Sequence, residues 1–239
     1  MVTVHLFQSC RNQKGRAMAV IPVLMGGVIL SVAFLIKAEF LGQRKQVYFF
    51  KPISTSLIIV VIILSYFTNS LDYTYKTIIL LGMILSLGGD IALMFDSAKA
   101  FLVGLVLFLL GHVAYTFAIL DFGGYVLFGA METSIVVLIS LGIFILIYPG
   151  LGSMKVPTFF YILIITLMVN CALLTFSVEA FNPTQAGYLA VGALLFYVSD
   201  VMLAINKFRF PFKLNRISLA FYFSGQLLIA LSTHYTSAV

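Results

Sequence analysis

Long uninterrupted runs of apolar residues dominate the chain. Each run has roughly the 20 residues that an α-helix needs to cross a bilayer, and short segments with charges, proline or glycine separate the runs. The pattern predicts eight transmembrane helices, near residues 18–36, 52–69, 76–95, 100–120, 125–148, 157–178, 186–206 and 215–234. We therefore expect an all-α, polytopic membrane protein with one eight-helix domain over 18–234, an N-terminal tail at 1–17 and a C-terminal tail at 235–239.

Composition excludes several other classes of protein. Of the 239 residues, 62% are hydrophobic and only 9% are charged, whereas soluble domains usually carry about a quarter charged residues. Cys10 and Cys171 are the only cysteines, which argues against a disulfide framework and a thiolate zinc site. No loop is long enough to hold a soluble domain, so the net charge of +6 comes from basic residues in short loops. We therefore expect these residues to contact membrane lipids, and we expect no nucleic-acid partner.

The basic residues predict the orientation. Ten Lys and Arg residues follow the odd-numbered helices, at positions 37, 44, 45, 51, 99, 155, 207, 209, 213 and 216, and four lie elsewhere, at 11, 14, 16 and 76. Cytoplasmic loops are enriched in Lys and Arg, so the odd loops are expected in the cytoplasm and both termini outside. The membrane itself is expected to be a bacterial inner membrane or a eukaryotic endomembrane.

Helices 1–4 and 5–8 share a weak repeat. Lys51-Pro52 and Lys155-Val156-Pro157 open the second helix of each half, Gly89-Asp90 and Ser199-Asp200 lie in the third, and Gly111-His112 and Gly225-Gln226 lie in the fourth. If the halves are repeats, four helices per half make them parallel, related by an axis along the membrane normal. The alternative is that glycine next to a polar residue is simply common where membrane helices pack.

Two intramembrane aspartates are the strongest candidates for chemistry. Asp90 and Asp200 lie at similar positions in helices that run in the same direction, which places both carboxyl groups at one depth. An ionised carboxylate there costs about 2.5–3.5 kcal/mol on insertion scales, so it must face the bundle interior or an aqueous cavity. Two nearby carboxyl groups can divide their roles, one neutral as an acid and one charged as a base.

Other polar residues offer supporting roles. His112 can orient a carboxylate or relay a proton, and Tyr115 lies one turn further on the same helix face. Asn206 and Gln226 are amides that can bind a substrate hydroxyl or join two helices. Lys51, expected at the start of helix 2, and Lys207 are candidates for binding a lipid phosphate above the aspartates, although the rule for basic loops already explains both.

No metal or organic cofactor is expected. The sequence has no H-E-x-x-H spacing for zinc and no G-x-S-x-G elbow for a serine nucleophile. Proton transfer by carboxyl groups requires neither a metal ion nor an organic cofactor.

Several stretches of the sequence resemble the YhhN family of eight-helix membrane proteins, whose characterised members are lysoplasmalogenases. The matching segments are residues 51–53, 86–94, 101–105, 111–115, 192–208 and 222–232. Of these, 192–208 is the most specific, because it combines Ser199-Asp200 with Asn206-Lys207-Phe208.

The resemblance implies an ether hydrolase. Its reaction is cleavage of the vinyl ether bond of a lysoplasmalogen, a lysophospholipid, to a fatty aldehyde and glycerophosphoethanolamine or glycerophosphocholine. The substrate's single chain would enter laterally from the cytoplasmic leaflet. Asp90 and Asp200 would be the catalytic pair, His112 or Tyr115 would orient one of them, and no obligate protein partner is expected.

Three other functions fit the same residues. Paired intramembrane carboxylates also serve proton-coupled transporters of lipids or small molecules. An intramembrane aspartyl protease is disfavoured, because Ser199 precedes Asp200 and Leu87 stands where that family's first glycine would be. In a structural protein without turnover, the aspartates would only join helices.

Overall fold

A computed structural model describes residues 2–68, 72–124, 130–212 and 216–235, and these residues contain eight α-helices. The helices are α1 (Val2–Phe40), α2 (Arg44–Thr68), α3 (Tyr73–Ala92), α4 (Ala98–Gly123), α5 (Ala130–Ile147), α6 (Lys155–Leu174), α7 (Pro183–Phe208) and α8 (Ser218–Ser232). Short 3₁₀ segments follow α5 and α6. Of the predicted features, residue 1, residue 69 of helix 2, residues 125–129 of helix 5, Lys213, residue 215 of helix 8 and residues 236–239 lie outside the described part, as do the side chains of Arg11, Lys14 and Arg16.

Seven of these helices are long and apolar enough to cross a membrane. In α1 the apolar part is Ala17–Phe40, although the helix itself begins at Val2 and so continues through the predicted tail. α8 has 15 residues and is a shorter apolar helix. The predicted all-α, polytopic fold is confirmed, and the protein is an integral multi-pass membrane protein.

Local chemistry explains where several helices begin. The side chains of Asp72, Ser97 and Asn182 accept hydrogen bonds from backbone N–H groups at the first turns of α3, α4 and α7. These are favoured capping residues, because their oxygens satisfy amides that have no partner within the helix. Pro183 begins α7, a position where its missing N–H costs nothing.

The prediction that Lys51-Pro52 opens helix 2 is wrong. α2 begins at Arg44, so Pro52 lies inside the helix and Lys51 lies two turns from its N-terminus. Proline removes one hydrogen bond from a helix interior, and membrane helices tolerate this because neighbouring helices support the backbone. In α6 the corresponding Pro157 does lie in the first turn, where proline needs no partner.

Glycines bring the last two helices of each half into close contact. A Cβ on Gly82 would lie 3.1 Å from the carbonyl oxygen of Gly111, and one on Gly192 would lie 2.9 Å from that of Gly225. Each pair joins the third and fourth helix of its half, and each first glycine precedes the aspartate of its helix by the same number of residues. This correspondence supports the two parallel repeats.

The C-terminal end of α8 is tied to the first half of the molecule. The hydroxyl groups of Tyr75 and Ser232 lie 2.6 Å apart, and His234 Nε2 lies 2.9 Å from the carbonyl oxygen of Val61. Because α8 packs on α1, α2 and α3 as well as on α7, its side chains reach groups of both halves. The first half of α8 also contributes side chains to the candidate site.

Candidate active site

Asp90 and Asp200 open into the same cavity. Each follows the first residue of its helix by 17 positions, so both lie at one depth along α3 and α7. The cavity has a volume of about 210 Å³ and is lined by Glu39, Lys51, Asp90, Leu93, Phe108, Ser199, Asp200, Leu203, Arg216, Ser218, Leu219 and Tyr222. Asp90 is fully buried, while 16% of the Asp200 side chain is exposed.

Three donors surround the Asp90 carboxyl group. The Thr55 hydroxyl donates to Oδ2 at 2.6 Å and the Tyr222 hydroxyl donates to the same oxygen at 2.8 Å. The Lys51 ammonium lies 3.4 Å from Oδ1. Lys51 and Thr55 lie one turn apart on α2 and therefore share a face. Hydrogen bonds to charged groups are strong, so this arrangement suits a carboxylate.

A chain of hydrogen bonds extends from Asp90 into the bundle. Gln226 Nε2 donates to the Tyr222 hydroxyl oxygen at 3.2 Å, and the Tyr115 hydroxyl donates to Gln226 Oε1 at 2.9 Å. Two of the predicted supporting residues, Tyr115 and Gln226, thus lie behind Asp90. Neither of them lines the cavity.

Asp200 has a different set of neighbours. The Tyr161 hydroxyl donates to Oδ2 of Asp200, and His112 Nε2 lies 4.0 Å from the same oxygen. His112 Nδ1 lies 2.5 Å from the carbonyl oxygen of Phe108, so Nδ1 carries the proton and the neutral ring leaves a lone pair on Nε2. Nε2 is buried without a hydrogen-bond partner among the described residues. An acceptor therefore faces Asp200, where Asp90 has only donors.

The surroundings of the two aspartates follow the repeat. Each carboxyl group receives a hydroxyl hydrogen bond from the second helix of its own half, from Thr55 on α2 and from Tyr161 on α6. Each is also faced by the fourth helix of the other half, through Tyr222 on α8 and His112 on α4. The site therefore requires both halves of the chain.

An apolar cavity adjoins the site beside Asp200. Asp200, Leu93, Phe108 and Leu203 line both cavities, but Asp90 lines only the first. The other residues around the apolar cavity are Phe101, Leu105, Ile143, Thr158, Tyr161, Ile162, Ile165, Tyr197, Val201, Ala204 and Phe208. Asp200 thus stands between a polar space and an apolar space.

A polar mouth of about 280 Å³ also adjoins the site, at the loops predicted to be cytoplasmic. Its charged side chains are Glu39, Arg44, Lys51, Asp96 and Arg216, and Glu39, Lys51 and Arg216 also line the site itself. Arg44 is paired with Asp96 at 2.5 Å. Among the described residues, Lys51 and Arg216 are therefore the cations that line the site.

Two predicted residues lie apart from the cavities. The Lys207 ammonium lies 4.9 Å from the centre of the Phe101 ring, and Asn206 accepts a hydrogen bond from the backbone of Phe212 at 2.9 Å. Neither residue lines the site or its mouth, so the structure does not bring Lys207 and Lys51 together. Asn206 instead shapes the segment after α7.

Sequence reasoning missed Thr55, Tyr161, Tyr222 and Arg216. Thr55 lies one turn after Lys51, and Tyr222 lies one turn before Gln226, so helical spacing from a selected residue could have identified both. No such spacing distinguishes Tyr161 from the other tyrosines of the chain, which has 12 in all. No group of three or more His, Cys, Asp or Glu residues within the described ranges is placed to hold a metal ion.

The chain is similar to known proteins over most of its helices. The sequence model of the YhhN family matches residues 46–233. Lysoplasmalogenase TMEM86A of Bos taurus is 31% identical over 167 residues, which cover 68% of this chain and 67% of that protein. Lysoplasmalogenase TMEM86A of Homo sapiens is 31% identical over 166 residues, with the same shares of the two chains. No solved structure gives a significant match.

Proposed function

Because the chain belongs to the YhhN family, we propose that it is a lysoplasmalogenase, a membrane hydrolase that cleaves the vinyl ether bond of a lysoplasmalogen. One observation carries the proposal. Two carboxyl groups, one buried and one half-buried, share one cavity between an apolar space and a polar mouth, and an acceptor faces only one of them. The products would be a fatty aldehyde and glycerophosphoethanolamine or glycerophosphocholine.

The cavities suggest how the substrate lies. A lysoplasmalogen has a polar headgroup, a glycerol, a vinyl ether and one aliphatic chain, in that order. With the headgroup in the polar mouth and the chain in the apolar cavity, the vinyl ether lies between them, beside the aspartates. Its β-carbon, which carries the chain, is then on the Asp200 side, and its α-carbon and ether oxygen are on the Asp90 side.

Asp200 is the acid in this arrangement. It stands at the apolar cavity, and the lone pair on His112 Nε2 can accept a hydrogen bond from a protonated carboxyl group. Transfer of the Asp200 proton to the β-carbon converts the vinyl ether into an oxocarbenium ion. Loss of this proton leaves Asp200 as a carboxylate, and Tyr161 stabilises the carboxylate by donating a hydrogen bond to it.

Asp90 is the base. Its carboxylate is held by Lys51, Thr55 and Tyr222, and it lies next to the carbon that carries the positive charge. Asp90 takes a proton from water as the water oxygen adds to that carbon, which gives a hemiacetal. Collapse of the hemiacetal returns this proton to the leaving glycerol oxygen and the hydroxyl proton to Asp200, so that both aspartates regain their starting states.

The headgroup phosphate would lie between Arg216 and Lys51 at the mouth. Both cations line the site and its opening, and an arginine can bind two phosphate oxygens at once. Lys51 thus keeps the phosphate-binding role predicted for it while it also faces Asp90. Arg216 takes the place expected for Lys207, whose side chain lies over Phe101.

The test is aldehyde release from purified protein supplied with 1-alkenyl lysophosphatidylethanolamine. Asp90→Asn and Asp200→Asn should each lower turnover by about a hundredfold or more, the usual contribution of general acid–base catalysis. Asp121→Asn is the matched control, because Asp121 is exposed on α4 and lines none of the cavities described. It should retain normal activity.

Folding must be separated from chemistry at Asp90. The Asp90→Asn variant leaves the Lys51 ammonium buried without its partner, which can destabilise the protein by itself. The double variant Lys51→Met/Asp90→Asn removes both charges and should fold but remain inactive. Activity in the folded double variant would contradict the role of Asp90. No aldehyde from folded wild-type protein would instead favour a proton-coupled transporter and make lipid flux the next assay.

A further inference from the structure

The apolar cavity beside Asp200 ends a short distance beyond the carboxyl group. Its innermost residue on α7 is Tyr197, three residues before Asp200, which corresponds to about 4.5 Å along the helix. The Tyr197 hydroxyl lies 2.7 Å from the Ser140 hydroxyl, which lies 2.7 Å from that of Thr166. This hydrogen-bonded cluster joins α5, α6 and α7 and closes the cavity toward the middle of the membrane.

The chain of the proposed substrate is longer than this space. The hydrocarbon core of a bilayer is about 30 Å thick, so one lipid chain reaches about 15 Å. A chain whose first carbons lie beside Asp200 cannot extend 15 Å past the wall at Tyr197. If the protein is a lysoplasmalogenase, the rest of the chain must therefore leave the cavity sideways.

An apolar groove lies where such an exit is needed. It has a volume of about 420 Å³ and runs between α4 and α6, lined by Leu102, Leu105, Val106, Leu109, Val156, Pro157, Phe160 and Ile164. Val156 and Phe160 are among the exposed apolar residues of the bundle, so this surface faces lipid. Of the residues that line the groove, Leu105 alone also lines the cavity beside Asp200.

We propose that the gap between α4 and α6 at Leu105 is a lateral portal for the aliphatic chain of the lysolipid. The carbons next to the vinyl ether lie in the inner cavity, and the distal part of the chain passes Leu105 and lies in the groove against the bilayer. Leu105 is half-buried and lines both spaces, so a change of its rotamer would connect them. The end of the chain then contacts lipid and not a protein wall.

The portal can be tested with substrates of two chain lengths. Leu105→Trp places a large ring in the gap, and it should lower kcat/KM for a hexadecenyl lysolipid about tenfold more than for a butenyl lysolipid, which is the scale of forcing extra atoms into a packed site. Val103→Trp is the matched control, because Val103 lies on the same helix with its side chain exposed to lipid and lines neither space. It should leave the ratio of the two substrates unchanged.

The outcomes separate the portal from the reaction. Equal effects of Leu105→Trp on the two substrates would overturn the portal while leaving the hydrolase intact. If wild-type protein releases no aldehyde from either substrate, the proposed reaction fails, and a 1-O-alkyl lysolipid with a photoreactive group at the end of its chain still tests the portal. Label that excess unlabelled lysolipid displaces from Phe160 and Ile164 would support it, and label at Tyr197 or Ile143 would overturn it.

Discussion

The two aspartates differ most in the groups around them. Asp90 faces two hydroxyl donors and an ammonium group, whereas Asp200 faces one hydroxyl donor and a histidine nitrogen that can only accept. This asymmetry is what allows two identical side chains to serve as base and acid under the proposed function. The asymmetry depends on which ring nitrogen of His112 carries the proton, and the hydrogen bond from Nδ1 to the Phe108 carbonyl oxygen decides this.

His112→Asn is a test at this scale. The asparagine amide keeps a donor for the Phe108 carbonyl group but removes the acceptor that faces Asp200. Turnover should fall about 10- to 100-fold with KM nearly unchanged, because the acceptor that faces the protonated Asp200 is removed while substrate contacts remain. Unchanged kcat in a variant with normal thermal stability would show that His112 only packs against Asp200.

Much of this residue-scale detail was readable from the sequence, and some was not. Asp90, Asp200, His112 and Gln226 stand out because charged and strongly polar side chains are costly inside apolar helices. Threonine and tyrosine carry no such cost, so hydropathy did not mark Thr55 or Tyr161 in advance. Hydropathy detects a group that needs a partner more readily than the partner it finds.

At the scale of helices, close glycine contacts fix how α3 packs on α4 and α7 on α8. Backbones approach closely in membrane proteins where small residues face each other. Gly82 and Gly192 occupy equivalent places in the two halves, so the same packing sets the rotation of both helices that carry an aspartate. The predicted repeat had not included these two glycines, and Pro52 lies deeper in its helix than Pro157 does.

Gly192→Ala should test the packing. Its Cβ would lie 2.9 Å from the Gly225 carbonyl oxygen and 3.1 Å from the Ile229 backbone nitrogen, and neither group can move without shifting α8. The variant should lose about 1–3 kcal/mol of stability. Gly187→Ala, on the same helix with open space around the added Cβ, should be neutral or slightly stabilising. Thermal denaturation in detergent measures both, and equal midpoints would contradict the tight contact.

At the scale of the whole molecule, the basic residues predict that the polar mouth opens to the cytoplasm. Lys99 is exposed in the first turn of α4, beside the loop from α3, and Glu179 is exposed between α6 and α7 at the other end of the bundle. In a protein whose Cys10 is replaced by serine, Lys99→Cys should react with impermeant maleimide only from the cytoplasm, and Glu179→Cys only from outside. The reverse labelling would invert the orientation and place the mouth on the outer face.

The attachment of α8 to α2 predicts a loss of stability in acid. His234 lies after α8, its Nδ1 lies 3.0 Å from the Thr68 hydroxyl oxygen, and burial lowers its pKa below 6.5 because the imidazolium would lose its hydration. Since the unfolded chain binds this proton more readily, the free energy of unfolding should fall as pH drops through the ordinary histidine value.

Unfolding midpoints between about pH 7.5 and 5.5 measure this effect. The His234→Gln variant should lose part of the pH dependence, because glutamine does not titrate. An identical dependence in both proteins would assign the effect to other groups.

The sequence by itself determined the membrane class, the eight helices found among the described residues and the two candidate aspartates, because hydropathy and the cost of a buried charge are properties of local sequence. Tertiary structure alone decided which partners each aspartate meets, such as Tyr222, which is 132 residues away from Asp90. It also decided where the apolar cavity lies and that Arg216, not Lys207, reaches the site. These features depend on how the helices rotate and cross, which close contacts between distant glycines set.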